Sequence, residues 1–338
     1  MNTCVIGAGS WGSAFALHLG RNNLPTRLWI REEDVFQQAL RFRENRTFLP
    51  GAVFPPSVSF HHELEGAAAG ADVVFIAIPS KYCREMFARL RPVLDPGALM
   101  VSLTKGIEKD TLKRMSELMF EVFAPRFNPR VASLSGPSFA REVAESHPTA
   151  VVVASQEEGV AQEVQRLVSH DYFRAYASDD IIGVELAGAL KNVIAIAAGI
   201  SDGLEFGSNS LAALITRGIA EVTRLGVQLG AKQETFAGLA GIGDLVLTCT
   251  GSLSRNRHVG YELGKGEALK SIVTGMNMVA EGIGTTLSAY QLAQKEAVEM
   301  PILEQVYLIL YKDKDPRTAL QDLMARKLKN EYFSSEGA

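Results

Sequence analysis

At 338 residues, with 47% hydrophobic side chains and a net charge of −4, the chain has the composition of a globular protein with material for two cores. The mildly acidic balance, pI about 5.9, gives no support for nucleic-acid binding, and the longest unbroken apolar runs, such as residues 193–200, fall far short of the ~20 residues of a bilayer span. Nothing at the N-terminus reads as a signal peptide, and the three scattered cysteines, Cys4, Cys83 and Cys249, suit a reducing compartment and form no metal-ligand spacing, so the expectation is a cytoplasmic chain without metal, nucleic-acid partner or membrane span.

The chain opens on Cys4-Val5-Ile6-Gly7-Ala8-Gly9-Ser10-Trp11-Gly12. A short apolar run enters G-x-G-x-x-G, and Ser13-Ala14-Phe15-Ala16-Leu17 continues with helical spacing. In this order Gly7 turns the chain off a strand, Gly9 lets backbone approach a pyrophosphate, and Gly12 lets the helix pack close. The N–H groups at the helix start then hold phosphates. An ordinary glycine-rich turn is the alternative at this point.

A second strand at residues 27–30 is followed by Arg31-Glu32-Glu33-Asp34. An acid here grips the ribose of NAD, whereas Arg accepts the extra phosphate of NADP. Glu32 and Glu33 equally suit the first turn of a following helix. The reading leans to NADPH and leaves NADH open. His61 and His62 read as a helix start, and His18, His147, His170 and His258 lack a carboxylate partner in sequence, so a histidine-dependent dehydrogenase is not expected.

Further strand-like runs lie at residues 58–60, 73–78, 98–102, 131–134 and 150–153, with amphipathic stretches at 82–90, 112–123 and 160–168. This alternation predicts an α/β, Rossmann-like, doubly wound and mainly parallel sheet. The turns at residues 7–12, Pro79-Ser80, Thr104-Lys105-Gly106 and Ser135-Gly136-Pro137-Ser138 all follow strands. Ligands of such sheets bind at the strands' carboxyl ends, so the four turns read as one site. Plain turn chemistry is the alternative at each, most of all at Pro79.

After Ser178-Asp179-Asp180 the pattern changes. Asp179 or Asp180 caps a helix running from residue 181 to about 198. Helical periodicity then dominates, at residues 210–229, 259–269, 286–296 and 302–311. The expected division is a dinucleotide-binding domain at 1–179 and an all-α substrate-binding and catalytic domain at 180–338, with a frayed end at 334–338.

Lys191 is anomalous in Ala187-Gly188-Ala189-Leu190-Lys191-Asn192-Val193-Ile194-Ala195. Its helical neighbours Ala187, Gly188, Ile194 and Ala195 cannot pair with an ammonium. The small residues suggest that another backbone packs closely. Such a lysine is costly unless a ligand or distant carboxylate meets it, and burial would lower its pKa toward the range useful for proton transfer. The alternative is a lysine snorkelling from a core helix. Gly241-Ile242-Gly243-Asp244-Leu245-Val246-Leu247-Thr248 sets one carboxylate between glycines and an apolar run. Ser252-Leu253-Ser254-Arg255-Asn256-Arg257 gathers donors suited to phosphate, with Gly251 and Gly260 leaving room for close approach. A solvated helix start capped by Ser254 is the alternative there.

Taken together, Gly7-Ala8-Gly9-Ser10-Trp11-Gly12, Thr104-Lys105-Gly106, Ser135-Gly136-Pro137-Ser138-Phe139-Ala140, Glu185-Leu186-Ala187-Gly188-Ala189-Leu190-Lys191-Asn192, Gly243-Asp244-Leu245 and Ser254-Arg255-Asn256-Arg257 resemble the NAD(P)-dependent glycerol-3-phosphate dehydrogenases of bacterial type. The resemblance covers nearly the whole chain in order. It implies hydride transfer between NADPH or NADH and dihydroxyacetone phosphate, giving sn-glycerol 3-phosphate for phospholipid synthesis. It implies Lys191 as proton donor and acceptor, with Lys105 and Asp244 binding substrate and orienting Lys191. Gly136 and Ser138 would line the substrate site, Ser254 and Asn256 would hold substrate, and Arg255 would meet its phosphate close to the cofactor. Gly7, Gly9, Ser10, Trp11, Gly12, Arg31, Lys105, Ala140, Arg255, Val279 and Glu281 match cofactor positions, and Phe48 falls where relatives carry an aromatic residue near the cofactor. The expected partner is the small-molecule substrate, with a homodimer left open. Two rivals remain: a β-hydroxyacid dehydrogenase or ketopantoate reductase type, whose substrates are carboxylates, and a non-catalytic dinucleotide sensor, which would need neither Lys191 nor the Ser254-Arg255-Asn256 cluster.

Overall fold

The computed structural model describes residues 1–276, 278–328 and 330–331; the expected frayed end at 334–338 lies outside them. Its first part is a sheet of eight strands, β1 (Thr3–Ile6), β2 (Thr26–Trp29), β3 (Val58–His61), β4 (Val73–Ile76), β5 (Leu99–Ser102), β6 (Arg130–Ser135), β7 (Thr149–Ala154) and β8 (Phe173–Ser178). Their order is β3-β2-β1-β4-β5-β6-β7-β8. All pairings are parallel except β6 with β7. The connecting helices are α1 (Ser10–Arg21), α2 (Glu33–Phe42), α3 (Leu64–Ala68), α4 (Cys83–Leu90), α5 (Met115–Phe123), α6 (Ala140–Ala144) and α7 (Val160–Val168).

β1, β4 and β5 are buried at every position, as expected of parallel strands covered on both faces, and so they read as continuous apolar runs. One face packs around Phe15, Phe75 and Phe173. The other packs around Ile6, Phe87 and Met119. β8 is absent from the sequence-predicted strands. In Phe173-Arg174-Ala175-Tyr176, buried and exposed residues alternate, because the strand lies at the sheet edge with one wet face. His61 closes β3 rather than opening a helix.

From Ile181 onward no strand occurs among the described residues, and the α-helices are α8 (Ile181–Gly203), α9 (Ser208–Gln228), α10 (Gln233–Phe236), α11 (Asp244–Thr250), α12 (Arg255–Gly264), α13 (Leu269–Thr274), α14 (Glu281–Lys295), α15 (Pro301–Lys312) and α16 (Pro316–Met324). Asp180 caps α8, accepting from the Gly183 N–H at 2.9 Å. Its second oxygen accepts from the Lys232 N–H and the Thr235 hydroxyl, which ties the α9–α10 turn to the start of α8. α8 is long and apolar enough to cross a membrane, yet 89% of its apolar window is buried inside the protein, where it is the core around which the other helices pack.

The stretch at residues 259–269, read as one helix, is broken. α12 begins earlier because Ser254 accepts from the Arg257 N–H, and it stops before Gly266, which takes φ +94°. α12 also crosses α8 at backbone contact. A Cβ on Gly199 would meet the Arg257 carbonyl at 1.9 Å, and one on Gly260 the Ile196 carbonyl at 2.0 Å. Gly260 therefore serves helix packing rather than ligand approach. This crossing brings the start of α12 alongside the lysine on α8.

Candidate active site

The sheet order changes direction at β1, with β2 on one side and β4 on the other. A crevice opens beyond the strand ends at such a point. Gly7 leaves β1 with φ +108°, and a Cβ there would meet the Ala77 carbonyl at 2.6 Å. A Cβ on Gly12 would meet the Gly7 carbonyl at 1.9 Å, so this glycine sets how closely α1 approaches the strand. A Cβ on Gly9 would meet nothing within 4 Å, so the backbone here faces open space. Among the described residues no side chain caps α1, and the buried Trp11 Nε1 has no partner. These features fit a dinucleotide whose pyrophosphate meets the free N–H groups of the helix start. Ser10 Oγ donates to the Phe48 carbonyl at 2.7 Å and lies 3.1 Å from Met278 Sδ. Asn45 holds the same loop to the turn, donating to the Ala8 carbonyl at 2.7 Å. Phe48 and the segment before Val279 therefore border the cradle.

Lys105 follows Thr104, whose hydroxyl donates to the Ile78 carbonyl at 2.8 Å and so fixes the turn after β5 against the end of β4. Gly136 turns off β6 with φ +142°, a conformation that L side chains rarely adopt, and a Cβ there would lie 2.9 Å from Val151 Cα. Ser138 donates back to the Gly136 carbonyl at 2.9 Å. Lys105 Nζ donates to that same carbonyl at 3.1 Å. Ala140 opens α6 beside this turn.

The two lysines meet on one carboxylate. Lys191 Nζ donates to Asp244 Oδ1 at 2.5 Å, and Lys105 Nζ to Asp244 Oδ2 at 2.7 Å. Lys191 also donates to Thr248 Oγ1 at 2.8 Å. Thr248 in turn donates to the Asp244 carbonyl at 2.6 Å, one turn back on α11. An ammonium has three donors, and two on each lysine are used here, which leaves one N–H on each for a ligand. Asp244 is 1% exposed and Lys191 8%. Burial lowers the Lys191 pKa to about 8, with Asp244 pulling it up and Lys105 pushing it down. Burial works against the Asp244 carboxylate, but Lys105 and Lys191 together outweigh it and hold the carboxyl below its usual range. The distant carboxylate that Lys191 requires is thus Asp244, and the lysine does not snorkel.

Asn256, at the second position of α12, is buried. Its Nδ2 donates to Asn192 Oδ1 at 2.9 Å and its Oδ1 accepts from the Gly282 N–H at 2.9 Å, leaving one amide N–H for substrate. Ser254 caps α12: its oxygen accepts from the Arg257 N–H. Arg255 makes no hydrogen bond or ion pair among the described residues. The residue as a whole is exposed, yet burial of its guanidinium holds its pKa below the usual value, with Glu281 working the other way. Glu281, half-buried at the start of α14, has its pKa raised to about 7 by burial, opposed by Arg255 and the Ser80 N–H. Val279 is exposed two residues before it.

Arg31 lies after β2 as expected, but its guanidinium is held by Glu32 Oε1 at 2.6 Å. Glu32 precedes α2 without capping it, whereas Glu33 and Asp34 lie in the helix's first turn. Sequence reasoning missed Thr248 and Asn192 as parts of the site. Thr248 lies four residues from Asp244, which is one helical turn, and Asn192 is an amide on an otherwise apolar helix; both signals were present.

Residues 2–161 match the family described as NAD-dependent glycerol-3-phosphate dehydrogenase N-terminus, and residues 180–321 the corresponding C-terminus. A glycerol-3-phosphate dehydrogenase [NAD(P)+] of Syntrophotalea carbinolica is 53% identical over 98% of this chain and 99% of its own length. One of Geobacter sulfurreducens is 53% identical over 97% and 98%. The crystal structure of glycerol-3-phosphate dehydrogenase from Coxiella burnetii superposes with a TM-score of 0.91 at 42% identity, covering 96% of this chain and 99% of that one. With two family matches that between them span most of the sequence and relatives identical at half their positions, the chain belongs to the NAD-dependent glycerol-3-phosphate dehydrogenases.

Proposed function

We propose that this chain interconverts dihydroxyacetone phosphate and sn-glycerol 3-phosphate with NADPH or NADH, Lys191 supplying and removing the proton. The observation that carries the reading is the Lys191–Asp244–Lys105 cluster, with Asn192, next to Lys191, bonded to Asn256, next to Arg255. The nicotinamide cofactor supplies the hydride. Lys191 stands on a rigid helix with one N–H free, and at a pKa of about 8 it gives up a proton readily to an oxygen that is gaining negative charge. Asp244 favours the charged ammonium before transfer and fixes its direction. Lys105 adds a second positive donor to the same region, which favours an alkoxide-like charge. Arg255, the Ser254 hydroxyl and the spare Asn256 N–H form a phosphate-binding wall, whose binding energy orients the carbonyl. Gly136 and Ser138 bound the substrate from the sheet side. Gly7, Gly9, Ser10, Trp11, Gly12, Arg31, Ala140, Val279 and Glu281 border the cofactor.

In this reading residues 1–179 bind the dinucleotide and 180–338 carry the substrate side. The product serves phospholipid synthesis in the cytoplasm. A homodimer is part of the same expectation, tested by light scattering over a range of protein concentrations. The activity is tested by following the nicotinamide absorbance while dihydroxyacetone phosphate, ketopantoate and a β-keto acid are offered in turn. Oxidation of NADPH or NADH with the phosphorylated triose alone supports the reading. Turnover only with a carboxylate substrate, or with none, overturns it.

A further inference from the structure

The chain between β5 and α5, residues 103–114, has no regular structure, yet it carries Lys105. Its start is fixed to the sheet by the Thr104 hydroxyl. From there it meets α8 at three residues. Asn192 Nδ2 donates to the Lys105 carbonyl at 3.4 Å. Gly188 leaves room for the Lys105 stem: a Cβ there would lie 3.6 Å from Lys105 Cγ and 2.7 Å from Ser135 Oγ. Glu185 takes the far end. Its Oε1 accepts from the Ser116 N–H at 2.8 Å, and its Oε2 from the Ser116 hydroxyl at 2.6 Å and from Arg114 Nη1 at 2.7 Å. Steps of three and then four residues put 185, 188 and 192 on one face of a helix. Lys191 stands beside that face and turns to α11, where it meets Asp244 and Thr248.

Between its anchors the segment is closed on itself. The Glu108 N–H donates to the Lys113 carbonyl at 3.0 Å, and the Leu112 N–H to the Glu108 carbonyl at 3.0 Å. Arg84 of α4 holds its middle on the sheet side, donating to Glu108 at 2.6 Å. A displacement at Arg114 is therefore passed on toward Lys105 rather than absorbed on the way. Glu185 is 7% exposed. A carboxylate so deep adds little net stability, because desolvation offsets much of the attraction to its partner. What three donors on one buried carboxylate do supply is a fixed direction. Lys105 and Lys191 stand on different parts of the fold and meet through Asp244, so their separation depends on how this segment sits on α8.

We infer that Glu185 is a positioning residue for the reaction: by clamping the far end of the 103–114 segment to α8, it sets where Lys105 stands relative to Asp244 and Lys191. It bonds to Arg114 and Ser116, outside the cluster, and acts through Lys105. The inference rests on the Lys191–Asp244–Lys105 part of the functional reading, but not on the identity of the substrate. Its test therefore follows Lys191 itself rather than turnover.

The full chain, labelled with carbon-13 at lysine Cε, is titrated by NMR without ligands, and the Lys191 resonance is assigned by its loss from Lys191→Met. Burial lowers the pKa of this lysine, Asp244 raises it and Lys105 lowers it further; Glu281 of α14 and Cys249 of α11 are the other ionisable groups that feel its charge. Glu185→Gln leaves Arg114 paired with Glu117, at 3.1 Å, so the fold should survive. Lys105 is then free to withdraw, its repulsion weakens, and the Lys191 midpoint should rise from about 8 to about 8.5–9. Loss of the Glu185 charge acting directly would move the midpoint the other way, because a nearby anion favours the ammonium. Ser116→Ala removes one of the three bonds and should give a smaller rise, which keeps the test available if the glutamine variant does not fold. In a Lys105→Gln background Glu185→Gln should add no further rise. A midpoint that stays near 8 or falls in the folded variants overturns the inference, as does an equal rise with and without Lys105. No substrate is added, so failure of this inference and failure of the proposed reaction are distinguishable.

Discussion

Asp244→Asn tests the central arrangement of charges with little change of shape. In the native protein one buried carboxylate holds two ammonium groups, at 2.5 Å from Lys191 and 2.7 Å from Lys105. Burial alone lowers the Lys191 pKa, and Asp244 is what keeps it as high as about 8. An opposite charge in contact is worth about one to three pKa units, or about 1.4–4 kcal/mol. Replacing it with a neutral amide leaves Lys105 repelling Lys191 with nothing to oppose it. The alkaline limb of the pH profile for carbonyl reduction should therefore move from near pH 8 in the native enzyme to between about pH 5 and 7 in the variant. At pH 7.5 most of the variant's Lys191 would be neutral and unable to donate, so reduction should slow by about threefold to about two-hundredfold across that range, with partial recovery on acidification. The assay is kcat/KM for reduction across pH 5–10 at saturating cofactor, with circular dichroism to confirm the fold. An alkaline limb that stays near pH 8 would refute the reasoning, because the group titrating there would then not be a lysine held by Asp244.

Other consequences follow from neighbouring residues. Arg255→Ala should raise KM for dihydroxyacetone phosphate, losing one charge-assisted contact of about 1.5–3 kcal/mol, while activity on unphosphorylated dihydroxyacetone, already poor, changes little; equal losses on both substrates would remove the phosphate from Arg255. Glu221, 4% exposed, accepts from the Ile302 and Leu303 N–H groups at the start of α15. Burial raises its pKa from 4.5 to about 7. A carboxyl raised in the folded state contributes stability that is complete below pH 4.5 and is lost as pH rises through about 7. Stability measured by urea denaturation should therefore fall by up to about 3 kcal/mol more for the native protein than for Glu221→Gln between pH 4.5 and 8. Parallel pH dependence of the two proteins would show that Glu221 does not titrate in this window.

Much of this architecture can be read in the amino-acid order. The glycine turn is legible because Gly7 and Gly12 each answer a separate steric demand that the structure shows, while Gly9 faces open space. Lys191 is legible because a lysine among Ala, Gly and Ile has no local partner. Its true partner lies 53 residues away on another helix, and no local pattern encodes that pairing. The α8–α12 crossing has the same origin. Gly199 and Gly260 are small because two backbones touch there, but sequence alone cannot separate that use from room for a ligand. β8 escaped because an edge strand alternates where the inner strands run continuously apolar. Ser254 carried two readings, cap and site wall, and it is at once the cap and a neighbour of Arg255 and Asn256.

The most direct test of the account is Lys191→Met. The unbranched thioether fits the apolar helix face, so the variant should fold, and it should bind NADPH with near-native affinity by fluorescence titration, since the cofactor cradle at Gly7 to Gly12 is untouched. Single-turnover reduction of dihydroxyacetone phosphate should fall by about 10²–10⁴-fold, the usual contribution of a general acid, and the alkaline limb near pH 8 should disappear from what activity remains. A folded, NADPH-binding Lys191→Met protein that reduces dihydroxyacetone phosphate at a near-native rate, with the limb intact, would contradict the account.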